Sequence, residues 1–77
     1  MELSNNIQIY LTNEGITEYR FERLCGLPNG ILGKWRTGAY KSTSIATVEK
    51  IAEATKIPAQ KWITEGGIRE RKHKQKN

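Results

Sequence analysis

Cysteine and histidine occur once each in this 77-residue chain, as Cys25 and His73. A single thiol excludes an intramolecular disulfide framework. A lone histidine among lysines has no second ligand at metal-binding spacing. No nucleophile–base pair stands out either, and Glu49 and Glu53, four apart, read as one solvated helix face. An enzyme is therefore not expected, nor is a metal or a cofactor. Nothing approaches the roughly 20 apolar residues of a membrane-spanning helix. The first residues lack the basic stretch and apolar run of a secretory leader, and a free thiol suits a reducing compartment. The chain is expected in the cytoplasm, with no membrane partner. Period-two alternation is nearly absent, which excludes a sheet-based fold and leaves an all-α one. A domain this short buries only about 60% of its unfolded surface, too little for a deep pocket.

Charge is plentiful and uneven. The formal net charge is +5, from 13 Lys and Arg against 8 Asp and Glu. Residues 1–66 hold eight basic and seven acidic side chains. Residues 67–77 hold five basic ones (Arg69, Arg71, Lys72, Lys74, Lys76) against Glu70. Most of the excess is therefore a property of the C-terminal tail, and it implies no more than a polyanionic partner.

Apolar spacing and capping residues predict five short helices in a compact bundle. The first covers about 4–13, capped by Ser4 and stopped by Gly15, with Leu3, Ile7, Tyr10 and Leu11 inward. The second covers 17–25, with Thr17 as N-cap and Phe21, Leu24 and Cys25 as its stripe. The third covers 28–37, from Pro28 to Gly38, with Leu32 and Trp35 on one face. After a loop of about six residues, the fourth covers 44–55 and buries Ile45, Val48, Ile51, Ala52 and Thr55. Ile57-Pro58 breaks the chain, and the fifth covers 59–65 with Trp62 and Ile63. These make one domain, 1–66. Residues 67–77 are expected to be a basic, loosely ordered tail.

The segment Gly15 to Gly38 carries the functional signal. Two short helices are joined by Gly26-Leu27-Pro28-Asn29, a helix-turn-helix pattern in which the second helix can enter a DNA major groove. Its outer face is Asn29, Gly30, Gly33, Lys34 and Thr37. Asparagine matches adenine N6 and N7, lysine reaches guanine O6 and N7, and threonine can touch a thymine methyl. The two glycines cost the helix about 1 kcal/mol each relative to alanine, and they let the backbone approach the groove. Trp35 and Cys25 read as core.

Gly15, Thr17, Phe21, Gly26, Leu32, Trp35 and Gly38 fall without a gap into the register of the Cro/CI-type (XRE) helix-turn-helix family of phage repressors, which this chain resembles. Ile45-x-x-Val48-x-x-Ile51-Ala52-x-Ala54-x-x-Ile57-Pro58 is similar to that family's fourth helix. The resemblance covers about residues 3–66 and implies a lambda-repressor-like five-helix domain. It implies base contacts from Asn29, Gly30 and Lys34. It implies backbone contacts from Thr17 and Glu18, and phosphate contacts from Tyr40, Lys41 and Ser42. Two positions depart from the family pattern, and the loop lacks the proline common before the fourth helix. Glu18 stands where glutamine is usual and can only accept, from Lys34 or Asn29. Glu22 stands where a small residue is usual.

The resemblance also implies homodimerisation on DNA, with Trp62 and Ile63 as candidates for the interface, Trp62 reading equally well as core. Arg69, Arg71 and Lys72 in the tail are candidates for further phosphate contacts. The expected function is a sequence-specific, double-stranded DNA-binding transcriptional regulator. It would be a Cro-like or short repressor of a phage or mobile element, acting in a bacterial cell or a phage-infected host. The alternatives are a protein-interaction module, or an antitoxin or controller-type regulator, on the same fold.

Overall fold

Capping chemistry sets two of the helix starts. The Thr17 hydroxyl accepts from the Arg20 amide, and the Ser44 hydroxyl accepts from the Thr47 amide. Each satisfies one of the amides that a helix leaves without an internal partner. The computed structural model describes residues 1–71. It is all-helical, with α1 (Glu2–Glu14), α2 (Glu18–Cys25), α3 (Ile31–Thr37), α4 (Ile45–Thr55) and α5 (Ala59–Ile63), and no strand among the described residues. Left-handed Gly15, Gly26 and Gly38 follow α1, α2 and α3. No helix among the described residues is long and apolar enough to cross a membrane.

The core joins α1 residues Leu3, Ile7 and Leu11 to Phe21 and Cys25 of α2, Leu32 and Trp35 of α3, Val48 and Ile51 of α4, and Trp62 of α5. Trp62 has no exposed surface. Its ring meets Tyr10 edge-on at 5.3 Å, and Tyr10 meets Phe21 edge-on at 5.6 Å, the offset geometry that aromatic quadrupoles favour. Among the described residues, the indole Nε1 of Trp62 has no hydrogen-bond acceptor.

Several boundaries and faces depart from the sequence pattern, each for a physical reason. Helix α1 begins at Glu2 rather than Ser4, because Leu3 is drawn into the core; Ser4 is buried inside the helix and does not cap it. Leu24 is half exposed, since the inner arc of α2 is Phe21, Glu22 and Cys25. Ile45, the first residue of α4, points outward, and Val48 and Ile51 face the core instead. Helix α5 ends at Ile63, because Thr64 turns extended.

The largest departure follows α5. Ile68 is buried in the core instead of belonging to a loose tail. Asn6, itself buried on α1, holds the returning chain. Its Nδ2 donates to the carbonyls of Lys61 (3.2 Å), Trp62 (2.7 Å) and Thr64 (3.0 Å), and its Oδ1 accepts from the Ile68 amide (3.3 Å). The side chain thus serves the orphan carbonyls at the end of α5. Gly67 passes so close to α5 that a Cβ there would lie 1.9 Å from the Lys61 carbonyl oxygen. Beyond it, the Arg71 amide donates to Asn13, and its guanidinium pairs with Glu14 at 2.6 Å.

Candidate nucleic-acid interface

The turn between α2 and α3 determines what α3 can present. Pro28 does not open the helix. The Ile31 amide donates to the Pro28 carbonyl (3.3 Å), with Gly30 at φ 88 and ψ −1. Those angles are the mark of the third residue of a type II turn, which glycine adopts without steric cost. Asn29 and Gly30 therefore lie on this turn, and α3 is the seven residues Ile31–Thr37.

A glycine at the N-cap has no side chain to cap with. Glu22 of α2 supplies the acceptors: its carboxylate takes the Gly30 amide and the Leu32 amide, each at 3.0 Å. Glu22 is 3% exposed. Its negative end also complements the positive N-terminus of α3. Glu22 is thus the brace that sets α3 against α2.

Glu18 is engaged as well, but not with Lys34 or Asn29. Its Oε2 accepts from Arg36 Nε (2.8 Å) and from Gln8 Nε2 of α1 (2.9 Å), and its Oε1 accepts from Arg36 Nη2 (3.3 Å). The Arg36 hydrogen bonds hold its carboxyl below the ordinary carboxylate range. Arg36 is raised in turn by the same carboxylate.

Lys34 and Thr37 are exposed on α3, and half-buried Gly33 lies between them along the helix. The Lys34 ammonium sits 5.5 Å from the centre of the Tyr40 ring, a cation–π contact. The Tyr40 amide donates to the Lys34 carbonyl (3.1 Å). The loop after α3 is thereby folded back onto it, with Tyr40, Lys41 and Ser42 all exposed. Thr17 is exposed, its hydroxyl already accepting the capping amide.

Charge is sorted along the chain more sharply than the near-neutral total of 1–66 suggests. Residues 17–43 hold five basic side chains, Arg20, Arg23, Lys34, Arg36 and Lys41, against two acids, Glu18 and Glu22. Both acids are turned to internal partners. Arg20, Arg23, Lys34, Arg36 and Lys41 are all exposed. Sequence reasoning passed over Arg20, Arg23 and Arg36. The missed signal for Arg36 was angular: on a 3.6-residue helix it falls between inward Trp35 and Leu32 and outward Gly33 and Thr37.

The other expected site residues separate. Trp62 is fully buried and belongs to the core, whereas Ile63 is half exposed beside Ile45. These two isoleucines flank a cavity of about 310 Å³ between α4 and α5, floored by Val48. Arg69 is exposed, and Arg71 is committed to Glu14. Lys72 and His73 lie outside the described residues. Among the described residues, no group of three or more His, Cys, Asp or Glu side chains could hold a metal ion.

No protein-family model, curated protein or solved structure matches this chain.

Proposed function

We propose that this chain is a sequence-specific, double-stranded DNA-binding transcriptional regulator. Helices α2 and α3 form its helix-turn-helix, and α3 is the element that enters the major groove. One observation carries the reading. The α2–α3 segment turns both its acids to internal partners and leaves its five cations exposed, beside a helix face kept bare by Gly33. A duplex presents one phosphate charge per roughly 1.7 Å of axis, and such a face meets it without like-charge repulsion.

Within this scheme Lys34 and Thr37 face base edges. Asn29 and Gly30 approach from the turn, and Thr17, Tyr40, Lys41 and Ser42 flank the groove on the phosphates. Two copies would bind an inverted repeat with half-sites about 34 Å apart, one helical turn. Exposed Ile63 and Ile45 would lie toward the second copy. A short repressor of a phage or mobile element fits this scheme, as does a controller or antitoxin-type regulator.

Selection of duplexes from a randomised library, followed by anisotropy titrations at about 0.15 M ionic strength, tests the proposal. An enriched, palindromic sequence bound well above scrambled DNA is expected. Failure to enrich any sequence refutes it. Lys34→Ala is expected to cost about 1–3 kcal/mol at one base pair of the enriched site. An equal loss on every duplex would reduce Lys34 to a phosphate contact.

A further inference from the structure

We propose that Arg36 is a base-reading residue for guanine, with its guanidinium aimed by Glu18 and Glu18 braced by Gln8. The inference rests on the DNA-binding reading above and adds to it a specificity determinant and two positioning residues.

The donor arithmetic carries it. A guanidinium has five N–H donors in a rigid planar fork. Glu18 engages the Nε side, taking Nε at 2.8 Å and Nη2 at 3.3 Å. That side-on grip leaves the end-on edge, one N–H each from Nη1 and Nη2. The same edge pairs with O6 and N7 of guanine in the commonest specific protein–DNA contact. A carboxylate gripping end-on would have consumed it. The ion pair therefore fixes the plane of the guanidinium without using the donors that a base would need.

The position suits the role. The guanidinium folds back along α3 toward Gly33, where a Cβ would lie 3.4 Å from Nη2. It thus lies over the bare stretch of the helix, and its side chain remains 52% exposed. Gln8 donates to the Glu18 oxygen that also accepts Arg36 Nε, so the carboxylate is held by α1 on one side and α3 on the other. An exposed ion pair contributes little to stability. Holding a long side chain in one geometry is of more use to recognition, because less freedom is then lost on binding. The pairing also explains how an acid is tolerated on a surface that meets phosphates: the guanidinium neutralises it in place.

The test is a base-by-base substitution series through the enriched half-site, measured with wild type, Arg36→Ala, Arg36→Lys, Glu18→Gln and Gln8→Ala. Circular dichroism melts show whether each variant is folded. Wild type is expected to lose tenfold to a hundredfold affinity, to order of magnitude, when one particular G·C pair is replaced. Arg36→Ala should flatten that single position and keep the discrimination at all others, and Arg36→Lys, which reaches guanine without the planar fork, should flatten it partway. Glu18→Gln and Gln8→Ala should lower the penalty there partway and keep the discrimination at all other positions. An Arg36→Ala loss that is uniform across all sequences, scrambled duplex included, overturns the proposal, since Arg36 would then touch only phosphate. So does an unchanged profile, and in both cases DNA recognition itself would stand. Absence of any preferred sequence for the wild type overturns this proposal and the DNA-binding reading together.

Discussion

Replacing Asn6 by leucine keeps the branching of the side chain but removes the polar atoms that serve three carbonyls and one amide at the far end of the chain. The carbonyls of Lys61 and Thr64 sit in partly buried contacts, where water can replace the amide. The Trp62 carbonyl and the Ile68 amide sit in buried ones. A buried polar group left without a partner costs about 1–3 kcal/mol, so the two together cost about 2–6 kcal/mol. The leucine recovers part of this through its own apolar burial. A net loss of about 3 kcal/mol is expected. A domain of this size has only about 4–12 kcal/mol of stability in total. Each kcal/mol moves the midpoint of so small a domain by about 4–8 °C, so thermal unfolding followed by circular dichroism is expected to drop by about 12–24 °C. The Ile68 amide should also lose its hydrogen-exchange protection in the folded variant. A shift under about 4 °C, with Ile68 still protected, would show that the carbonyls are satisfied without Asn6 and would refute the reasoning.

Glu22→Gln keeps the shape but turns one acceptor oxygen into an amide NH2 donor facing one of the two backbone N–H groups at the start of α3. The expected loss is about 1–3 kcal/mol in urea unfolding, together with weaker DNA binding at every base read by α3. Gly67→Ala pushes a methyl into the Lys61 backbone carbonyl and is expected to cost about 1–3 kcal/mol; a neutral effect would mean that the 64–68 turn shifts freely. Burial pushes the Cys25 thiol from 9.0 up to about 11. The folded protein is therefore expected to resist a disulfide reagent at about pH 8 and to react fully once unfolded. The raised value means that the thiol's contribution to stability is complete below pH 9.0 and is lost as the pH rises through about 11. Rapid native-state labelling at about pH 8 would contradict the buried position.

What the chain's pattern reveals is local. The hydroxyl cap at Thr17 and the glycine stops at Gly15, Gly26 and Gly38 follow from residues within one turn of the boundary they set, and they stand in the structure, whereas Ser4 lies inside α1 and caps nothing. The start of α3 does not, because its cap comes from Glu22, eight residues before Gly30. Ile68 looks like a stray apolar residue in a basic tail until Asn6, 62 residues earlier, takes its amide. Leu24 and Ile45 show the limit of periodicity: either fits an apolar stripe, and only the neighbouring helix decides which arc turns inward. At the site, Lys34 and Thr37 were legible from helix register. The engagement of Glu18 was not, since its partners Gln8 and Arg36 sit on two other helices.

The carboxylate under α3 has a consequence for the energetics of any encounter. Seven residues make two turns, far below the 12–15 at which an isolated helix becomes even marginal in water. Helix α3 is therefore not self-supporting. Glu22, together with Leu32 and Trp35, ties it into the same cooperative unit as α2. The Gly30 and Leu32 amides, despite their place beside an exposed turn, are expected to open to solvent only when that unit opens. A helix already complete in the free protein brings no folding cost to the complex. The affinity it achieves then depends on its contacts, and a poor match is rejected because the helix cannot reshape itself to suit one.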